Sequence, residues 1–225
     1  MIPLHLNGIT LLPDPSGALV WREQSLVVVA DLHLEKGSAF AARGRMLPPY
    51  DTRATLDRLE TALKRLGPAR VICLGDSTHD VHATERMAKS DHARLAVLTA
   101  AHDWVWVAGN HDPTPPADWG GRVEVEVALG PLVFRHEAQA GAMGEVSGHY
   151  HPVAAVRAAA RRVRARCFVG DGQRLILPAF GAYTGGLNVL DPAMTRLLGR
   201  DFHAYLLGEE KVHKIACAKL VPDRR

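Results

Sequence analysis

The sequence predicts an α/β fold in which two β-sheets pack face to face, flanked by α-helices, in one domain over residues 1–225. Three observations predict it. Apolar runs alternate with helical patterns up to about residue 110, as expected of a parallel sheet with helical crossovers. The second half reads mainly as strands. Neither a linker-like stretch nor an internal repeat divides the chain.

Residues 9–12 and 18–21 flank Pro13-Asp14-Pro15-Ser16-Gly17, the chemistry of a hairpin turn. Residues 25–30 form a valine-rich run suited to a strand buried on both faces. Residues 52–66 read as a helix, with Leu56, Leu59, Leu63 and Leu66 on one face. Asp51 or Thr52 can cap its start, and Gly67-Pro68 ends it. Residues 69–74 form a second buried strand, 82–102 one or two helices, and 104–108 a third strand. Strands follow at 123–129, 131–135, 166–169 and 174–177. The last two are joined by Gly170-Asp171-Gly172-Gln173, whose Asp-Gly pair signals a hairpin. Residues 204–207 and 211–215 form a closing hairpin.

Composition narrows the function classes. A chain of 225 residues, 47% hydrophobic and 23% charged, is neither disordered nor a coiled coil. It can bury roughly 70% of its unfolded surface without a disulfide or metal staple. No apolar run approaches the ~18 residues of a membrane span, so no membrane partner is expected. The first thirty residues carry no secretion-signal pattern. Cys73, Cys167 and Cys217 are far apart and form no CxxC pair. A thiolate zinc site is therefore not expected, and a reducing, cytoplasmic location is. The net charge of +3 permits an anionic partner without demanding one. The 12 histidines are the stronger clue, because imidazole is the commonest metal ligand and acid–base group near neutral pH.

Three predicted strands end in metal-competent residues: Asp31 and His33 after the first, Asp76 after the second, Asn110, His111 and Asp112 after the third. In an open α/β sheet, ligands bind outside the carboxyl ends of the strands. Asp31 and His33 are two apart, so extended backbone would turn both side chains the same way. His136 ends a fourth strand, and Gly148-His149-Tyr150-His151 sets two more imidazoles two apart. Asp31, His33, Asp76, Asn110, His136, His149 and His151 suit a first-row divalent metal better than calcium. Seven donors exceed one ion's needs and suit two ions sharing a carboxylate, a device used for in-line phosphoryl displacement.

Five motifs in order, spanning residues 31–151, resemble those of the calcineurin-like metallophosphoesterases, which implies that family's fold. Residues 31–37 (DLHLEKG), 47–52 (LPPYDT) and 177–186 (LPAFGAYTGG) resemble the ligase-associated DNA damage response endonucleases within it. That likeness implies a manganese-dependent phosphodiesterase cutting single-stranded DNA in bacterial repair. It also implies an ATP-dependent DNA ligase, a helicase and an exonuclease as possible partners. By resemblance, Asp31, His33 and His151 would hold one ion, and Asn110, His136 and His149 the other. Asp76 would bridge them, with Fe, Co or Zn as alternatives to Mn. His111 would contact the phosphate or protonate the leaving oxygen, and His79 is a second candidate for that role. The five motifs equally admit a small-molecule phosphoesterase acting on nucleotides or dinucleoside polyphosphates.

Arg157, Arg161, Arg162, Arg164 and Arg166 form the most basic run, either a strip that tracks phosphates or the solvated face of a helix. Tyr50 reads as a packing residue, beside Arg43 and Arg45. Trp21, Trp104, Trp106 and Trp119 read as core or edge residues.

Overall fold

The computed structural model describes residues 2–114, 117–159 and 161–223. Two sheets share one apolar interior. The first has seven strands: Leu4–Leu6, Ile9–Pro13, Leu19–Trp21, Leu26–Val29, Arg70–Leu74, Asp103–Val107 and Arg122–Glu124, in chain order across the sheet. The first four pair antiparallel; from Leu26–Val29 onward all pairs are parallel. The second sheet runs in the order Leu187–Asn188, Pro152–Ala158, Arg161–Gly170, Arg174–Ile176, Glu145–Ser147, Leu132–Arg135, Glu126–Leu129. The hairpin His203–Leu207 and Val212–Ala216 pairs with Arg161–Gly170.

Side-chain alternation explains the layers. Val28, Ile72, Leu74, Val105 and Val107 point inward onto Leu132, Phe134, Val146, Phe168 and Leu175 of the second sheet. Val27, Val29, Val71, Cys73, Trp104 and Trp106 point outward. There Leu56, Leu59 and Leu63 of the helix Asp51–Leu66 cover them, with Leu95 of Lys89–Ala101. Both faces of the three central parallel strands, Leu26–Val29, Arg70–Leu74 and Asp103–Val107, are therefore dry, and this is why their sequence is mostly apolar. Glu145 and Arg174 are cross-strand neighbours, both buried, with Oε2 accepting from Arg174 Nε at 2.6 Å. Removing either partner would strand a buried charge, so the pair fixes that parallel register.

Residues 82–102 form two helices, Ala83–Arg86 and Lys89–Ala101, within the one or two expected. Other elements differ from expectation. The strand expected over 123–129 is two strands, Arg122–Glu124 in the first sheet and Glu126–Leu129 in the second, so the chain changes sheets at Val125. The arginine-rich run is not a helix face. Pro152–Ala158 and Arg161–Gly170 form a long antiparallel ribbon with Arg157 opposite Arg162. Alternating apolar and basic residues fit a half-buried strand better than a 3.6-residue period. Tyr50 is 63% exposed and is not a packing residue.

The outer core contains a tryptophan stack. Trp106 lies 5.2 Å from Trp104 and 5.6 Å from Trp119 between ring centroids, and its indole N–H donates to Gly120 O at 2.9 Å. Replacing Trp106 by Ala should cost about 3–5 kcal/mol through cavity formation. Urea unfolding would measure it, and a loss under about 1 kcal/mol would show that this layer collapses around the gap.

Candidate metal centre

The carboxyl ends of the three central parallel strands lie in register, Val29 beside Cys73 and Leu74 beside Val107. The loops leaving them meet at once. Asp31 N donates to Gly75 O at 3.2 Å, His33 N to Asp76 O at 2.9 Å, and Leu34 N to Ser77 O at 2.9 Å. This continues the strand pairing past the sheet, but not in extended form. Asp31 (φ 54°), His33 (φ 44°), Asp76 (φ 47°), His149 (φ 68°) and His151 (φ 47°) are all left-handed. The expected extended backbone is therefore wrong at Asp31 and His33. Such a conformation costs a non-glycine residue about 1–2 kcal/mol, and it persists where surrounding bonds over-determine it.

The structure brings together all seven residues picked from the strand ends. His33 Nε2 and His151 Nε2 face each other at 3.2 Å, and His151 Nε2 is 3.5 Å from Asp31 Oδ1. His136 Nε2 lies 2.8 Å from Asn110 Oδ1, 3.1 Å from His149 Nδ1 and 3.4 Å from Asp76 Oδ1. His149 Nδ1 is 2.9 Å from the same Asn110 oxygen. Asp31 with His33 and His151, and Asp76 with His136 and His149, form two groups whose donor atoms could each hold a metal ion. Asp76 stands between the groups, its Oδ2 3.8 Å from His33 Nε2.

The donor chemistry fits divalent metal. His136 Nδ1–H donates to Leu74 O at 2.9 Å, so its Nε2 presents a lone pair to the cluster. That lone pair faces an amide oxygen and a carboxylate, neither of which can donate to it. Burial, then the neighbouring His151, His111, Lys36 and His79, pushes the His33 imidazole down to about 2. It is therefore neutral, as a ligand must be. Burial, followed by His136, lowers His149 too.

His111 and His79 border the cluster. His111 is exposed, its main-chain N donates to Asp76 Oδ1 at 2.9 Å, and its Nε2 lies 3.9 Å from Asp76 Oδ2. Its Nδ1 is 2.9 Å from His79 O, and the two rings stack with centroids 5.4 Å apart. Burial, then Lys36 and His111, lowers His79 to about 4, so it is neutral at pH 7.

Two supporting features have roles that the sequence alone did not assign. Asp112 Oδ2 accepts from Ser77 N at 2.7 Å and Thr78 N at 3.1 Å, tying the loop of Asp76 to that of Asn110. Its position two after Asn110 was the available signal. Glu35 accepts from Ser38 Oγ at 2.6 Å and Thr52 Oγ1 at 2.8 Å, while Asp51 Oδ2 accepts from Gly37 N at 3.0 Å. Residues 31–37 and 47–52 are thus bonded partners, clamping the helix Lys36–Ala42 beside the cluster.

The calcineurin-like phosphoesterase family model matches residues 25–156, which contain every residue of the cluster. The chain belongs to the calcineurin-like phosphoesterases. This metallophosphoesterase is a metal-dependent hydrolase of phosphoester bonds, and its two donor groups support a dinuclear divalent centre. No curated protein sequence matches the chain. Among solved structures it is similar to Pseudomonas putida nuclease MPE, at 29% identity and TM-score 0.72, over 95% of this chain and 99% of that one. It also matches Yfce, a phosphoesterase from E. coli, at 15% identity and TM-score 0.43, over 85% of this chain and 98% of that one.

A methyl group on Gly75, itself at φ 69°, would run into the His136 ring. Gly75→Ala should displace that ring from Leu74 O and weaken divalent-ion binding at the Asp76 group by about 10–100-fold. Calorimetric titration with manganese checks this, and two unchanged affinities would show that the ring has room to move.

Proposed function

We propose that this phosphoesterase is an endonuclease that hydrolyses phosphodiester bonds of single-stranded DNA. The observation that carries the reading is the likeness to a nuclease over nearly the full length of both chains. The site's openness supports it. The side chains of His111 and His149 at its rim are 41% and 30% exposed, leaving room for a strand to pass. The flanking stretches 31–37, 47–52 and 177–186 further support a repair role beside an ATP-dependent ligase, helicase and exonuclease. We extend the reading to one catalytic domain working in the cytoplasm with manganese. The free cysteines Cys73, Cys167 and Cys217 agree with a reducing compartment.

Asp31, His33 and His151 would hold one ion, Asn110, His136 and His149 the other, and Asp76 would bridge. When bound, two such ions activate water and neutralise charge on the phosphoryl oxygens. The chain supplies the rest. Asp112 and the left-handed loops keep the donors in place before substrate arrives. His79 O accepts from His111 Nδ1–H, which turns His111 Nε2 toward the cluster. With a proton on both ring nitrogens, that Nε2 can bond the phosphate or hand its proton to the leaving oxygen. His79 acts through that carbonyl and by stacking, as a positioning residue.

The test is linearisation of closed circular single-stranded DNA with Mn, Mg or Zn. Wild type with Mn should cut the circle, and Asp76→Ala should not. His111→Ala should slow cutting by about 10²–10⁴-fold, the usual worth of a positioned acid. Intact circles together with brisk hydrolysis of nucleotides would replace the nuclease by a small-molecule phosphoesterase.

A further inference from the structure

Next to the Asp31 group lies a pair of arginines that the proposed chemistry leaves unused. Arg58, on the helix Asp51–Leu66, donates to Phe180 O, and its guanidinium sits 4.9 Å above the Phe180 ring. Arg166, on the ribbon strand, donates from NH1 to Ala179 O at 2.9 Å. The segment holding both is locked to the candidate metal centre, since Phe180 N donates to Ala30 O at 2.8 Å and Gly181 N to Asp31 O at 3.0 Å. Two guanidiniums from different layers therefore converge on the adjacent carbonyls of Ala179 and Phe180, in the segment whose Phe180 N and Gly181 N bond Ala30 O and Asp31 O.

Their charge is not compensated. Among the described residues, neither has a carboxylate within ion-pair distance, and their bonds run to main-chain carbonyls. Arg162 and Arg164 on the same ribbon differ, since both pair with the Asp223 carboxylate. The Arg58 Nε is buried with no partner. Burial, followed by the charge of Arg166, lowers Arg58 to about 10, so the two cations feel each other. Partly buried charges of one sign are ordinarily paired, and a pair held together without a counter-charge calls for an anion. Guanidinium forks match phosphate oxygens in bidentate geometry.

We propose that Arg58 and Arg166 bind a non-scissile phosphate of the same nucleic-acid strand, on the Asp31 side of the centre. The proposal rests on the nuclease reading and adds to it. A diester with no flanking phosphate cannot use this subsite, whereas a polymer is held in register by it. Phosphate contacts of this kind fix position without reading sequence.

The test is binding of a fluorescent oligothymidylate to the manganese-loaded protein across a salt series, read by stopped flow before the first cut. This keeps the readout independent of turnover. Each phosphate contact on a single strand contributes about 0.7 to the slope of log affinity against log salt. Arg58→Gln and Arg166→Gln together should lower that slope by about 0.7, the share of one phosphate, and each alone by part of it. The lysine variants at both positions should keep most of the slope, because they keep the charge. Arg22→Gln is the charge-matched control, an exposed residue before Leu26–Val29, at the opposite strand ends from the site. If wild type binds and cuts circles while the double variant keeps the full slope, the subsite is wrong and the nuclease reading stands. An equal loss in Arg22→Gln would also overturn the subsite, by showing a general charge effect. If wild type neither binds the strand nor cuts circles, the nuclease reading fails and the subsite with it.

Discussion

The crowding of lone pairs at the ends of the parallel strands is the constraint on which the rest of this molecule depends. His33, His136, His149 and His151 present ring nitrogens to one another and to Asp31, Asp76 and the Asn110 oxygen at about hydrogen-bonding distance. His136 Nε2, fixed as a lone pair by the Nδ1–H bond to Leu74 O, faces the Asn110 and Asp76 oxygens, which can only accept, so these atoms repel until a cation lies between them. A flexible set of side chains would relieve the repulsion by turning outward. Here they cannot turn, because the left-handed backbone at five of the seven aims them inward and main-chain bonds between adjacent loops fix that backbone. Local strain of this kind is sustained by the dry core beneath it.

The two-sheet architecture supplies the anchoring. Asp31, Asp76 and Asn110 leave adjacent strands of the first sheet, while His136, His149 and His151 leave the second. Bonds such as Phe180 N to Ala30 O at 2.8 Å and Gly181 N to Asp31 O at 3.0 Å join the sheets beside the cluster. Glycine makes the approach close enough. A side chain on Gly109 would strike the Asp76 main chain, and one on Gly148 would come within 2.6 Å of Asp31 Oδ2. The glycines of Gly75-Asp76, Gly109-Asn110 and Gly148-His149 are therefore as necessary to the site as the ligating residues they precede.

Much of this was legible in the sequence, and the boundary has physical causes. The parallel strands were plain, because burial on both faces leaves an uninterrupted apolar run such as Val27-Val28-Val29. Asp31, Asp76 and Asn110 followed from the rule that sites gather at strand carboxyl ends. The backbone at those residues was not legible. Asp and His at left-handed φ carry no pattern, and only the bonded structure around them selects it. The ribbon was misread because its exposed strand alternates arginine with small residues, which resembles a basic helix over a short window. Tyr50 was misplaced because an aromatic ring beside Pro48 and Pro49 gives no sign of facing outward. The Arg58–Arg166 pair, 108 positions apart, could not be seen before the sheets were assembled.

Charge order around the site connects these features. Without metal, the buried Asp31 and Asp76 carboxylates make the cluster repel a polyanion. Two divalent ions outweigh two carboxylates, so loading reverses the local sign and turns the strand ends into an anion site. Lys36 on one flank lowers both His33 and His79, so its charge already reaches the cluster before any ion binds. Arg58 and Arg166 stand on the Asp31 flank. These cations lie outside the donor groups and cannot replace the ions, but they give an approaching backbone two further points of attraction. A substrate carrying a single phosphate has use for the centre alone. A chain of phosphates can use the centre and the flank together, and the proposed preference for a polymer turns on that difference.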